Sequence, residues 1–167
     1  MTVRLFKHGP RRPKAAPTSE SVFPTVGRAL KIVLVEDNRG IRDIVQCVLQ
    51  HDGHQVTAAA DGLEGLATIV DQRPDVALVD LGLPGMDGLQ LARRVRERMG
   101  RDIYLIVLTG YVRPEDQQAA KDAGFDDYLV KPVDRDDLIQ ALSRVPVEST
   151  RAEEERTNTE AVVNPSL

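Results

Sequence analysis

The sequence predicts an α/β fold, a doubly wound parallel sheet with helices on both faces. Three observations carry this. Five short apolar runs, near residues 31–35, 55–59, 76–79, 103–108 and 128–130, have the length and composition of buried strands. Each is followed by a segment with apolar residues at helical spacing. The alternation has no internal repeat, so parallel strands joined by right-handed crossovers are the expected solution. Ligands of such sheets bind outside the carboxyl ends of the strands.

The first strand is Lys31-Ile32-Val33-Leu34-Val35, a β-branched run that ends on Glu36-Asp37. Asn38 caps the first helix, whose expected core face is Ile41, Ile44, Val45 and Val48. Cys47 lies at the edge of that face and reads as a packing residue. Gly53 ends the helix, with His51 and His54 in a solvated turn around it. Gln55–Ala59 is a weaker second strand. Asp61 and Glu64 have capping-box spacing before a helix that buries Leu63, Leu66, Ala67 and Val70. Pro74 stops it. Val76-Ala77-Leu78-Val79 is the third strand and ends on Asp80, followed by a loop with Gly82, Pro84, Gly85 and Gly88. The third helix buries Leu91, Ala92, Val95 and Met99 and turns Arg93, Arg94, Arg96 and Arg98 toward solvent.

Ile103–Leu108 forms the fourth strand, ending at Thr109-Gly110. Pro114 opens a fourth helix whose only apolar anchors are Ala119, Ala120 and Ala123. Gly124 ends it, with Phe125 just beyond. Tyr128-Leu129-Val130 is a short fifth strand leading to Lys131-Pro132. Asp134 and Asp137 begin a last helix with Leu138, Ala141, Leu142 and Val145 inward, and Pro146 closes the domain.

The globular domain is therefore residues 30–146. Residues 1–29 form a Pro-rich basic tail, with six Lys/Arg against one acid, and are expected to be disordered. Residues 147–167 form an acidic tail without core periodicity. Between them lies an acidic body, fourteen Lys/Arg against twenty Asp/Glu over residues 30–145. That balance disfavours direct nucleic-acid binding. A single cysteine excludes an internal disulfide, and His8, His51 and His54 match no zinc spacing. No apolar run has the length of a membrane span, and no secretory signal opens the chain, so a cytoplasmic protein without membrane contact is expected.

Alone, Asp80 reads either as a turn cap or as a functional group at a cleft mouth. The other strand ends decide between them. The first contributes Glu36 and Asp37, the third Asp80, the fourth Thr109 and the fifth Lys131, all at one edge of the expected sheet. Three carboxylates together repel one another unless a cation neutralises them. Oxygen ligands with open positions suit Mg²⁺, which keeps waters and pairs with phosphate oxygens. Lys131 and Thr109 supply donors for a phosphoryl group. The constellation reads as Mg²⁺ plus phosphoryl, with Asp80 as candidate nucleophile. No Gly-rich P-loop accompanies it.

Val35-Glu36-Asp37-Asn38, Val79-Asp80 with Leu83-Pro84-Gly85-Met86-Asp87-Gly88, Leu108-Thr109-Gly110 and Tyr128-Leu129-Val130-Lys131-Pro132 together resemble the receiver domain of bacterial two-component response regulators. The resemblance implies a flavodoxin-like sheet of order 2-1-3-4-5. It implies that Asp80 takes a phosphoryl group from the phosphohistidine of a sensor histidine kinase, a hybrid kinase or a phosphotransfer protein. Asp37, Asp80 and the Gly82 carbonyl would ligate Mg²⁺, with Glu36 nearby or acting through water. Lys131 would pair with the phosphoryl group, Thr109 and Tyr128 would be the switch residues, and Lys131-Pro132 would be a cis peptide. Two positions that flank the path of hydrolytic water in this family are Gly82 and Tyr111 here, which implies slow loss of the phosphoryl group. No output domain follows Val145, so a stand-alone receiver, or one cut from a hybrid kinase, that controls a downstream protein target is expected.

A competing class is a Mg²⁺-dependent phosphohydrolase with an aspartate nucleophile. Such enzymes carry an acid two residues after the nucleophile, where this chain has Gly82, which cannot transfer a proton. The chain is therefore expected to catalyse only its own phosphorylation and dephosphorylation.

Overall fold

A computed structural model describes residues 28–110 and 113–146. Residues 1–27 and 147–167, with Tyr111 and Val112, lie outside the described residues, and Arg28, which the sequence assigns to the N-terminal tail, pairs with Asp75 just before the third strand. Five strands, β1 (Lys31–Val35), β2 (Gln55–Ala59), β3 (Val76–Asp80), β4 (Tyr104–Thr109) and β5 (Asp127–Val130), form one parallel sheet in the order β2-β1-β3-β4-β5. They alternate with α1 (Arg39–His51), α2 (Gly62–Gln72), α3 (Gly88–Met99), α4 (Pro114–Ala123) and α5 (Arg135–Leu142). The doubly wound, flavodoxin-like class and strand order expected from the sequence are the observed ones. None of the helices among the described residues is long and apolar enough to cross a membrane.

Alternation along the strands feeds two cores. Val33, Val35, Ala77, Val79, Leu105 and Val107 face α2, α3 and α4. Ile32, Leu34, Val76, Leu78, Ile106 and Leu108 face α1 and α5. Central β3 is buried throughout, including its terminal Asp80. Helix caps follow the local sequence: Asn38, Asp61, Asp87 and Asp134 each accept backbone N–H groups of a first turn, and Asp134 with Asp137 completes a capping box.

Several helix faces differ from expectation. In α1, Ile44 is 67% exposed and Ile41 is also exposed, whereas Val45 and Leu49 are buried. The apolar stripe is wider than the surface it can cover, and the helix rolls toward Leu49. Cys47 is exposed rather than packed. In α2, Leu63 and Ala67 face outward and the inward residues are Gly62, Gly65, Leu66 and Ile69. The helix approaches through its glycines. A Cβ on Gly65 would lie 2.7 Å from both γ carbons of Val35, and one on Gly62 would lie 2.2 Å from the Met86 carbonyl oxygen. A hydrophobicity pattern cannot see a face made of glycine.

Two polar residues were also expected in solvent. His54 is 5% exposed: Nδ1 accepts a hydrogen bond from the Leu30 N–H at 3.1 Å, and Nε2 is buried with no partner among the described residues. Burial holds its pKa below the usual histidine range, opposed by the charge of Asp52. Arg96 of α3 is largely buried, while Arg93, Arg94 and Arg98 are exposed as expected. A further link absent from the sequence reading is Arg135, which grips Asp52 with two nitrogens at 2.7–3.0 Å and ties the start of α5 to the end of α1.

The glycine contact under α2 makes a prediction. Gly65→Ala gains about 1 kcal/mol of helix propensity. It also drives a methyl into a stiff β-branched side chain, and overpacking of this kind costs about 1–3 kcal/mol. The net expectation is a lower urea midpoint with unchanged slope. A midpoint equal to or above the parent's would show that α2 lifts off without cost.

Candidate functional site

Parallel register brings the carboxyl ends of β1, β3, β4 and β5 to one edge. Val35 pairs with Val79, Asp80 with Leu108, and Thr109 with Val130. The chain then continues into Glu36-Asp37, the Leu81–Asp87 loop, Gly110 and Lys131. All the charged residues expected to converge do so. One carboxylate oxygen each from Glu36, Asp37 and Asp80 lies within 4.8 Å of the others.

Lys131 closes the cluster. Its Nζ donates to Glu36 Oε2 at 2.6 Å and lies 2.9 Å from Asp80 Oδ1. Glu36 is only 1% exposed, and its second oxygen accepts the Asn38 N–H at 3.1 Å. Burial alone would lower the pKa of Lys131. Hydrogen bonds to Glu36 and Asp80 outweigh it and hold the ammonium above its usual range. Asp37 is exposed, so the cluster opens to solvent on that side.

Backbone contacts fix the frame. The Glu36 N–H donates to Ala59 O, and Arg42 reaches back from α1 to the carbonyls of Glu36 (2.7 Å) and Asp37 (3.2 Å). Arg42 was not foreseen. An arginine in a first helical turn signals nothing until the acidic turn before it is known to bend toward it. The Leu81–Asp87 loop is pinned at its base, where Leu81 N donates to Leu108 O and Gly88 N to Leu81 O. A Cβ on Gly88 would sit 2.5 Å from the Asp80 carbonyl oxygen. Gly82 is different: a Cβ there would meet only Asp80 Oδ2, at 3.6 Å, so the residue flanks the carboxylate with room beside it.

Thr109 is buried at the end of β4, and its carbonyl accepts the Lys131 N–H at 2.8 Å. The Lys131-Pro132 bond is cis. Tyr128 is 45% exposed on β5. Thr109 and Tyr128 both line a cavity of about 320 Å³ between β4, β5 and α4, along with Leu81, Gln117, Ala120 and Phe125.

A five-stranded parallel sheet with an acidic cluster and a paired lysine at its carboxyl edge defines a signalling-receiver class of α/β protein. The family model described as response regulator receiver domain matches residues 32–143, and the chain belongs to that family. It is 39% identical over 116 residues to an uncharacterised 14.6 kDa protein of Leptolyngbya boryana, covering 69% of this chain and 88% of that one. It is 40% identical over 114 residues to the transcriptional regulatory protein CseB of Streptomyces coelicolor, covering 68% of this chain and 48% of CseB. The chain thus spans about half the length of that regulator. Among solved structures, chemotaxis protein CheY4 of Vibrio cholerae superposes with TM-score 0.68 at 34% identity, covering 71% of this chain and all of that one. The receiver domain of sensor histidine kinase PA1611 from Pseudomonas aeruginosa, which has magnesium coordinated in its active-site cleft, superposes with TM-score 0.66 at 34% identity, covering 71% of this chain and 98% of that one.

The buried Glu36 makes the lysine testable. Lys131→Met leaves that carboxylate without its cation, a change expected to cost about 3 kcal/mol. Mg²⁺ should then raise the thermal midpoint of the variant more than that of the parent. Equal midpoints for parent and variant in EDTA would show that Lys131 does not neutralise the cluster.

Proposed function

We propose that Asp80 is the phosphoacceptor of a phosphorylation-controlled binding module in the cytoplasm. The observation that carries the reading is the convergence of Glu36, Asp37 and Asp80 on Lys131 at one sheet edge. The donor is the phosphohistidine of a sensor histidine kinase, a hybrid kinase or a phosphotransfer protein. The Asp80 carboxylate attacks phosphorus, the nitrogen–phosphorus bond breaks, and the imidazole leaves and takes up a proton from solvent. The ammonium of Lys131, already beside Asp80, pairs with the incoming phosphoryl oxygens. Glu36, Asp37, Asp80 and the Gly82 carbonyl would hold Mg²⁺, and three carboxylates open to solvent on one side suit an ion that keeps several waters. When bound, that ion offsets the negative charge of the carboxylates and of the phosphoryl oxygens.

Thr109 and Tyr128 are the proposed switch residues. Both border the cavity under α4, a helix whose buried residues are two alanines. At about 25 cal/mol per Å² of apolar surface, alanines anchor it less than the Leu, Ile and Val faces of its neighbours. Segments of low local stability are those available to move. The face made by α4 and β5 is therefore the surface a downstream protein target reads, without direct nucleic-acid or membrane contact. A hydrolase acting on other phosphomonoesters is disfavoured because Gly82 offers no general acid.

Asp80→Asn should abolish labelling by acetyl phosphate or a kinase while the fold is kept, and the parent should not turn over a small phosphomonoester. Stable label on the variant, or steady turnover by the parent, would refute the assignment. The open space beside Gly82 carries a second expectation, about lifetime. Gly82→Asn should bring an amide within reach of water near the acyl phosphate and speed phosphate loss severalfold, about 1 kcal/mol in barrier. Identical decay of variant and parent would show that this position does not set the lifetime.

A further inference from the structure

α4 is held unequally along its length. At its start, Arg113 makes no side-chain cap, Pro114 opens the first turn, and residues 113–115 are exposed. The cavity runs along the helix, bordered by Asp116 and Gln117 of this half, by Ala120 and Lys121 of the next, and by Phe125 and Asp126 beyond it. The buried residues Ala120 and Ala123 belong to the second half, and buried Phe125 follows.

At the far end stands the arginine that breaks the solvated pattern of α3. Arg96 Nε donates to the Gly124 carbonyl at 2.8 Å. One terminal nitrogen donates to the carbonyls of Gly100 (2.9 Å) and Ile103 (2.8 Å), and the other to Asp126 Oδ2 at 2.6 Å. Asp126 Oδ2 also accepts the Leu105 N–H, and its own N–H donates to Leu105 O, both at 2.8 Å. The Arg96 and Asp126 side chains are 13% and 17% exposed. Gly124 caps α4 with φ 104°, and a Cβ there would lie 2.6 Å from Arg96 Cγ, so the turn seats directly on the arginine stem. A planar guanidinium can satisfy this set of acceptors at once, whereas an ammonium on a flexible stem cannot.

We infer that Arg96 is the positioning residue of the switch: it fixes the C-terminal end of α4 through Gly124 and Asp126, so that α4 pivots there and its uncapped N-terminal half is the part that moves. This rests on the reading that α4 responds to phosphorylation at Asp80. A merely structural arginine would support the whole domain. A pivot determines where along α4 the response stops.

Hydrogen exchange on the full chain, free and with Mg²⁺ plus beryllofluoride, separates these roles. In the parent, the beryllofluoride-linked change should fall on residues 113–118 and fade by residues 124–126. Arg96→Gln should speed exchange over residues 119–126 by roughly tenfold in the free protein, leave α1 and α2 unchanged, and carry the beryllofluoride response through residue 126. Arg101→Gln removes only the exposed partner of Asp126, 3.1 Å away, and should leave both patterns as in the parent. If Arg96→Gln does not fold, Arg96→Lys keeps a charge beside Asp126 and should still free Gly124. The inference is overturned by a parent response centred on residues 124–126, or by an Arg96 variant that speeds exchange everywhere or nowhere. A parent that takes no beryllofluoride would sink the phosphoacceptor reading, while the free-protein comparison would still decide whether Arg96 anchors α4.

Discussion

The structure turns on one electrostatic constraint: three carboxylates share a sheet edge with a single ammonium. Unit charges about 4 Å apart interact by about 1 kcal/mol in water and about 4 kcal/mol near a protein surface. Lys131 answers part of this repulsion by pairing with Glu36 and Asp80, and Glu36 is too deeply buried to be left alone. Asp37 remains exposed beside them. The cluster therefore retains negative charge facing solvent, a standing demand for a divalent cation and, with it, for an anionic group. The charge balance of the edge and the phosphoryl chemistry proposed for it are one property.

The fold exists around that edge. Parallel register aligns the strand ends, and two apolar layers hold the sheet between helices. Close glycine contacts set the walls of the site: Gly62 and Gly88 pin the loop after Asp80, and Gly65 brings α2 against Val35 just before Glu36. These places have no slack. Slack is concentrated in α4, with its alanine anchors and the cavity beneath it. Under the proposed function, rigid placement of the acidic cluster beside a weakly held helix would let a small change of charge be read out as a change of surface.

Much of this was legible in the sequence. Five apolar runs and the polar residues at their ends placed the strands and gathered Glu36, Asp37, Asp80, Thr109 and Lys131, because strand periodicity and crossover handedness leave few alternatives. The faces of α3 and α5 were also read correctly, since their leucines and valines have no rival stripe. The failures share a cause. α2 packs through glycines, which carry no hydrophobic signal. α1 has more apolar residues than it buries, and only packing selects Val45 and Leu49. Arg96 and Arg135 act through carbonyls or carboxylates distant in sequence, Arg42 through the two carbonyls of the acidic turn before its helix, and His54 by accepting the Leu30 N–H, and composition assigns such residues to solvent.

The central claim is that the cluster at the sheet edge makes Asp80, and no other residue, an acyl-phosphate acceptor. Borohydride reduction after incubation with acetyl phosphate converts an aspartyl phosphate to homoserine, and peptide mass mapping locates it. The account predicts homoserine at residue 80 alone, formed with Mg²⁺ and lost in excess EDTA. Reduction at residue 36 or 37, or undiminished reduction in EDTA, would contradict it.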